Sequence, residues 1–214
     1  MSPTSYRTIA RDGEAEIEVK RSRFRCTLAR VESQDAARAV VQRVRKEHWD
    51  ARHHCSALVI GPGGELHRSF DDGEPSGSAG APMLEVLRGR EVSDVVAVVT
   101  RWFGGVLLGT GGLARAYGDA VRVALDSVDT MPRSLALEYE LAVSHSEAGR
   151  IENDLRSRGV RILETTYATE VTLRLGVPAD RAGALAPTVA ELTAGSGRLV
   201  EVGSRWVDRP SGQP

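Results

Sequence analysis

The sequence predicts a mixed α/β (α+β) protein of two domains, residues 1–131 and 132–214. Three observations support this class. Short segments with the two-residue period of strands alternate with segments of helical periodicity, a Pro-containing connection occupies residues 127–133, and a complete set of strands and helices lies on each side of it. The 214 residues are 41% hydrophobic and 27% charged, which indicates a folded chain and excludes a disordered one.

The first domain is predicted to have the element order β-β-β-α-β-β-α-β-α. Its third strand shows the clearest alternation, because Phe24, Cys26 and Leu28 are apolar whereas the residues between them are polar. Ser33 or Asp35 can cap the first helix, and Ser78 or a neighbour can cap the second. Strands are predicted at residues 6–11, 14–19, 24–31, 54–60, 66–70 and 95–100, and the last helix at 113–125.

The second domain is predicted to follow the order β-α-β-β-α-β, which is that of the ferredoxin-like split βαβ motif. Helix ends are marked by Gly159 and Gly195, and Pro178 precedes the second helix. Strands are predicted at residues 135–144, 160–166, 170–175 and 199–207, and helices at 146–158 and 180–192.

Charge and cysteine content restrict the possible functions. The formal net charge is -1, so contact with a nucleic acid would need a local basic patch instead of bulk positive charge. The two cysteines, Cys26 and Cys55, lie in apolar strand contexts and are expected to be buried and reduced. No apolar run has the length of a membrane span, and the N-terminus lacks the pattern of a secretion signal, so a cytoplasmic location without membrane contact is expected.

A glycine-rich segment at residues 104–112 precedes the last helix of the first domain. Backbone N–H groups at such a helix start can bind a phosphate, and Arg101 and Arg115 could add charged contacts. The alternative is that the glycines only allow close packing of a strand and a helix. The candidate anion-binding residues of the segment are Gly104, Gly105, Gly109, Thr110, Gly111 and Gly112.

A basic stripe in the third strand and an adjacent aromatic residue could contact RNA. Arg21, Arg23 and Arg25 belong to a run of five cations with no acidic residue between Lys20 and Val31. Trp102 could stack on a base, although one ring of the Trp102–Phe103 pair is expected to be buried. A solvated strand face is the simpler interpretation of the stripe.

An acidic loop at residues 71–80 is a second candidate. Clustered carboxylates favour hard cations, but the spacing does not fit a calcium loop, so a turn followed by a helix cap is preferred and no metal site is predicted. Nor do His53 and Cys55, which share a strand face, make a zinc site or a nucleophile. The loop residues expected to accompany the glycine segment are Asp71, Asp72, Glu74, Ser76 and Ser78.

Four sequence blocks resemble the signature of the IMPACT family in order and spacing. They are KRSRF at residues 20–24, DARHHC at 50–55, DDGEPSGSAGAP at 71–82 and RWFGGVLLGTGGLARAYG at 101–118. The resemblance implies a ribosomal protein S5 domain 2-like fold for the first domain. For the second it implies a ferredoxin-like fold similar to the fifth domain of elongation factor G. Some members have a basic residue where this chain has Ala81 and Leu107, and many have Tyr in place of Trp102.

The resemblance and the local cations together favour a non-enzymatic protein that binds RNA or the ribosome and takes part in the regulation of translation. A protein partner is a further expectation, and neither a cofactor nor a catalytic residue is predicted. The alternative is an enzyme that acts on a phosphorylated small molecule through residues 104–112, with Asp71, Asp72 or Glu74 holding magnesium.

Overall fold

The computed structural model describes residues 3–209, which form two compact units that divide between Pro132 and Arg133. Over this range it contains five α-helices and two antiparallel sheets, so the predicted mixed α/β class is confirmed. None of the helices within residues 3–209 is both long enough and apolar enough to cross a bilayer.

The first unit follows the predicted order of strands and helices. Its elements are β1 (Ser5–Ile9), β2 (Gly13–Val19), β3 (Ser22–Arg30), α1 (Gln34–Glu47), β4 (His53–Ile60), β5 (Leu66–Phe70), α2 (Gly80–Gly89), β6 (Val95–Trp102) and α3 (Gly109–Asp126).

The main sheet of this unit has the strand order β2-β3-β6-β4-β5, with every neighbouring pair antiparallel. The central strand β6 is buried on both faces. Val95, Ala97 and Val99 belong to the core that includes α2 and α3, whereas Val96 and Val98 belong to the core that includes α1. This explains why the segment is a continuous apolar run with no alternation of polar residues.

The starts of α2 and α3 differ from the predictions, whereas α1 starts as predicted. Ser33 caps α1, because its Oγ accepts from the Ala36 N–H at 3.1 Å. The expected cap of α2 by Ser78 is wrong, since the Ser78 hydroxyl donates to the Pro75 carbonyl at 2.6 Å. Helix α3 begins at Gly109, four residues before the predicted start, so four of the nine residues of the glycine segment are helical.

The second unit has the expected β-α-β-β-α-β order. The strands form an antiparallel sheet in the order β8-β9-β7-β10, and its core contains Leu141, Ile151, Leu155, Leu173 and Val189. The elements are β7 (Thr130–Val143), α4 (His145–Ser157), β8 (Arg161–Tyr167), β9 (Val171–Pro178), α5 (Leu185–Leu192) and β10 (Arg198–Asp208), with a short 3-10 helix at Ala182–Ala184 before α5.

The division between the units falls inside the predicted connection at residues 127–133, and β7 already begins within it, at Thr130. Hydrogen bonds hold this segment extended. The Ala10 N–H donates to the Asp129 carbonyl at 2.7 Å, and the Arg7 guanidinium donates to the Thr130 carbonyl at 3.3 Å. A Pro near a strand start is compatible with this pairing, since only one backbone donor is lost.

Candidate nucleic-acid interface

The four distinctive sequence blocks meet at one end of the first sheet. The antiparallel register places Arg101 of β6 opposite both Phe24 of β3 and His53 of β4, and Arg23 opposite Trp102. Strand β5 ends at Phe70 on the same end, so the loop at residues 71–80 also starts there. Segments that are far apart in sequence therefore supply neighbouring side chains.

The centre of this end is a buried polar network around Glu74. The Glu74 Oε1 atom accepts from Arg101 Nη1 at 2.6 Å and from the Tyr117 hydroxyl at 2.7 Å. Arg101 is 7% exposed and its Cζ lies 5.5 Å from the Phe24 ring centre and 5.7 Å from that of Phe103. Arg101, which the sequence suggested as a phosphate contact, instead forms an interior pair with Glu74, and this pair neutralises the Arg101 charge.

Cys55 belongs to the same network and is not activated. Its thiol donates to the Asp71 carbonyl at 2.9 Å, and both Cys55 and Cys26 are free and fully buried, as predicted. Burial raises the pKa of Cys55 to about 12, and burial together with the neighbouring Cys55 raises that of Tyr117. Both groups are therefore neutral near pH 7, which does not suit a nucleophile.

The acidic loop is held together by its own carboxylates. Asp71 accepts from the backbone N–H groups of Gly77, Ala79 and Gly80 at 2.8–3.1 Å. Burial raises the pKa of Asp71, but these three bonds outweigh it and the pKa lies below its ordinary value. Asp71 thus satisfies the start of α2 in place of a neighbouring hydroxyl.

Asp72 also has an internal role. Its Oδ2 accepts from the His54 N–H at 2.7 Å, and its Oδ1 pairs with Arg45. Of the predicted loop residues, only Ser76 is exposed and makes no side-chain hydrogen bond with residues 3–209. Within that range no three His, Cys, Asp or Glu side chains are arranged to hold a metal ion. The acidic loop is therefore explained by its folding.

The basic stripe is compensated by the strand beside it. Arg23 and Arg25 lie on one face of β3 as predicted, but β2 places Glu16 opposite Arg25. The Arg25 Nε atom is 3.0 Å from Glu16 Oε2, and Arg23 Nη1 is 3.7 Å from Glu16 Oε1. Glu18 lies opposite Arg23 as well. The exposed face of β2 and β3 is therefore close to neutral at Arg23 and Arg25, and its excess of positive charge is smaller than the sequence of β3 alone suggests.

Neighbouring side chains cover part of the Trp102 ring. The Arg23 Cζ lies 4.5 Å from the ring centre, the His48 ring meets it edge-on, and the indole N–H donates to Asp50 at 2.9 Å. The expectation that one of the two adjacent rings is buried is wrong, since Trp102 is half-buried and Phe103 is 51% exposed. Phe103 is the ring more available for stacking.

The glycines of residues 104–112 serve two different purposes. A Cβ on Gly104 would lie 2.0 Å from the Arg21 carbonyl carbon, so this glycine allows β6 to pass the β2–β3 turn. A Cβ on Gly105, Gly109 or Gly111 would meet nothing within 4 Å. Close packing therefore accounts for Gly104 but not for the glycines at and near the start of α3.

Two cations that form no ion pair among residues 3–209 lie beside the start of α3, namely Lys20 in the β2–β3 turn and Arg115 in the helix. With Gly111, Gly112 and Asp119 they line a cavity of about 350 Å³, and the Asp119 carboxylate is paired with Arg122. Arg21 is the other central residue of the turn, and its backbone passes Gly104. Lys20 was part of the predicted basic run but not of the predicted site. The sequence feature that could have identified Lys20 is its position between two alternating strands, because a two-residue turn projects its side chains outward.

Two family models match the chain, one in each unit. The Impact N-terminal domain model matches residues 20–125, and a domain of unknown function, DUF1949, matches residues 141–196. The IMPACT family member YvyE of Bacillus subtilis is 41% identical over 92% of this chain and 91% of its own length.

Other relatives extend the same relationship. The IMPACT family member YigZ of Escherichia coli is 41% identical over 86% of this chain and 92% of its own length. A solved structure titled as that of a hypothetical protein has a TM-score of 0.66 at 39% identity, covering 94% of this chain and 98% of its own. The chain belongs to the IMPACT family.

Proposed function

We propose that the chain is a non-enzymatic protein that binds RNA, free or ribosomal, at the start of α3 and acts in the regulation of translation. One observation carries the proposal: an 18-residue helix begins with no side-chain cap and no acidic residue in its first turn, beside Lys20 and Arg115. The first N–H groups of a helix have no partner within it, and the helix dipole makes this end positive. A phosphate is the ligand that fits such an end.

The β2–β3 turn supports the assignment because its sequence is unfavourable for its shape. Val19 pairs with Ser22, so Lys20 and Arg21 are the two central residues of the turn. Both have positive φ angles, 47° and 65°, which favour Asn or Gly in such a turn. Backbone strain of this kind often accompanies a functional site. A functional need for two cations in this turn would account for the choice of residues.

The apolar tip formed by Phe103 and Leu107, next to this cationic site, suits RNA better than a small phosphorylated metabolite. Phe103 is 51% exposed and Leu107 is 83% exposed at the two ends of the segment that leads to α3. An exposed ring can stack on an unpaired base, whichever base it is. The tip therefore fits a nucleic-acid chain whose phosphates lie at the helix start.

The acidic loop does not support the alternative hypothesis, that the chain is an enzyme acting on a phosphorylated small molecule. Asp71, Asp72 and Glu74 accept internal hydrogen bonds that join the loop to α2, β4 and β6 respectively. A carboxylate that is committed in this way is a poor magnesium ligand or general base. The cavity at Gly111 is lined by residues from β2, the β2–β3 turn, the loop before α3 and α3 itself, and by none from residues 71–80.

The test replaces Lys20–Arg21 by Asn–Gly, the pair preferred in a two-residue turn with positive φ. We expect this double variant to unfold at a higher urea concentration than the native chain, because the strain is relieved. We also expect its affinity for single-stranded RNA and for ribosomes at low salt to fall by about tenfold or more, because two phosphate contacts are lost.

The matched control is the double variant R23Q/R25Q, which removes the same number of positive charges from the neighbouring strand. Since Glu16 already compensates these arginines, we expect a smaller loss of affinity. Unchanged affinity for RNA and ribosomes in K20N/R21G, with the fold intact, would contradict the proposed site. No binding by the native chain at low salt would contradict the proposed function itself.

A further inference from the structure

Trp49 is a large exposed ring that the packing of the first unit does not use. Its side chain is 82% exposed at the end of α1, directly after His48, the residue that caps the helix. Within residues 3–69 no other large apolar side chain is exposed. Tryptophan is enriched at binding sites, where its flat ring contributes a large contact area. The position of Trp49 therefore calls for a ligand.

Trp49 lies next to a second indole whose position is fixed by several contacts. Both residues that flank Trp49 in sequence contact Trp102. The ring centres of His48 and Trp102 are 5.3 Å apart, and the Trp102 indole N–H donates to Asp50 at 2.9 Å. The Arg23 Cζ atom lies 4.5 Å from the Trp102 ring centre. The backbone at Trp49 is thus held beside Trp102, while the Trp49 ring projects into solvent.

These contacts lead from Trp49 to the β2–β3 turn at the end of the sheet. Arg21 of the turn is two residues before Arg23, so their Cα atoms are at most about 7 Å apart. Trp102 lies on the face of the sheet that α1 covers, whereas Lys20 lines the cavity beside α3 on the other face. The turn stands between the two faces. A ligand that contacts both faces must therefore pass round this end of the sheet.

The charges around Trp49 suit RNA better than a protein partner. Lys46 and Arg52, three residues before and after it, are exposed and form no ion pair within residues 3–209. The other exposed residues at positions 46–52 are charged as well. A tryptophan that anchors a protein is usually surrounded by contacts that exclude water. A flat ring flanked by unpaired cations is instead typical of sites for single-stranded nucleic acids.

We propose that the RNA bound at α3 is single-stranded, and that it passes round the β2–β3 turn and stacks an unpaired base on Trp49. A double helix is too stiff to bend round the end of one sheet, and its bases are already stacked on each other. The inference rests on the proposed function. It adds the class of RNA that is bound and one residue that determines specificity.

The test compares the native chain with W49A on a single-stranded RNA of about ten nucleotides and on the duplex of the same sequence. Fluorescence anisotropy of the labelled RNAs at low salt gives the affinities. We expect W49A to bind the single strand about tenfold more weakly, as the loss of one stacked base predicts. The duplex should bind weakly to both proteins and with equal affinity, because it offers no unpaired base.

Two control variants separate stacking from a change in the fold. W49F keeps a ring and should retain most of the affinity for the single strand. Y167A removes a ring that is 70% exposed in the second unit, and it should bind as the native chain does.

The Trp49 ring can also be observed directly, because the chain has three tryptophans. In W102F/W206F, Trp49 is the indole that remains, and single-stranded RNA should quench its fluorescence as the site fills. In W49F/W102F, Trp206 remains and its emission should not change.

Equal affinities of the native chain and W49A for the single strand would overturn the inference and point to a protein partner for Trp49. Equal losses on the single strand and the duplex, tighter binding of the duplex by the native chain, or unquenched Trp49 emission at saturation would overturn it as well. In all these cases RNA still binds, and a loss of affinity in K20N/R21G would still support the site at α3. No binding of either RNA by the native chain would overturn both proposals.

Discussion

Arg101 and Glu74 form a buried ion pair across 27 residues of sequence, with Arg101 Nη1 2.6 Å from Glu74 Oε1. Their side chains are only 8% and 4% exposed. A lone charge at such a position would be strongly unfavourable, so each residue requires the other. The pair joins the acidic loop to the strand that leads into α3, and Tyr117 adds a third link from the helix.

Replacing Glu74 by Gln should destabilise the fold by about 3–5 kcal/mol, because the Arg101 charge stays buried without its counter-ion. Urea unfolding measures the loss. D119N provides the comparison, since it breaks an exposed pair with Arg122 and should cost about 0–1 kcal/mol. The double variant E74L/R101M should recover much of the stability, because it removes both charges together. Equal unfolding midpoints for E74Q and D119N would contradict the buried-pair argument.

Alanine at Gly104 should be far more disruptive than alanine at Gly111. The added Cβ at Gly104 would lie 2.0 Å from the Arg21 carbonyl carbon, so backbone has to move. We expect G104A to cost about 1–3 kcal/mol or more. G111A adds a methyl group into open space in the first turn of α3 and should be neutral or stabilise by up to about 1 kcal/mol. Thermal unfolding of both variants gives the comparison, and similar midpoints would be evidence against the close approach.

His54 should make the fold less stable as the pH falls. Burial lowers the pKa of His54 from 6.5, while its bond to the His48 carbonyl and the nearby Asp72 act in the opposite direction. Since the folded pKa is below the unfolded one, the unfolded state takes up the proton first. Stability should therefore be constant above pH 6.5 and decline as the pH falls from 6.5 through the lower folded value. The H54Q variant should lack this part of the slope, and an unchanged slope would refute the assignment.

Both thiols should react only when the chain unfolds. Cys26 and Cys55 are fully buried, and burial raises the pKa of both, that of Cys55 to about 12. Thiolate, the reactive form, is therefore scarce at pH 8. A chromogenic disulfide reagent should label neither residue rapidly in native buffer and both residues in urea. Rapid labelling of either residue in native buffer would mean that its strand opens locally.

The sequence predicted most elements because their periodicity is local. Alternation in β3 located its buried face correctly, and the continuous apolar run of β6 indicated a central strand. The start of α3 was placed too late, because glycines at the first turn have low helix propensity and hide the boundary. Here the helix is stabilised by the packing of Leu113, Ala116 and Tyr117 further along.

The charge pattern of the candidate site was harder to predict, because pairing across strands is not visible in a single segment. The cations of β3 face Glu16, which precedes them in the neighbouring strand, and Arg101 meets Glu74 in a loop. Neither glutamate lies on the same strand as the arginine that it pairs with. Lys20 and Arg115, two cations that form no ion pair within the described chain, come from a turn and a helix, and only the fold brings them together at one cavity.

RNA binding should depend on salt with a shallow slope, because few cations around α3 lack an ion pair. With Lys20, Arg21 and Arg115 as the phosphate contacts, counterion release predicts a slope of log affinity against log salt of about -2 to -3, at roughly 0.7–0.9 per phosphate. The variant K20Q/R21Q/R115Q should lower both the affinity and this slope, whereas R23Q/R25Q should leave the slope nearly unchanged. Fluorescence anisotropy with a labelled single-stranded RNA at several salt concentrations measures all three proteins. A much steeper native slope would require phosphate contacts beyond these three residues. An equal slope in the native and triple-variant chains would remove them from the interface.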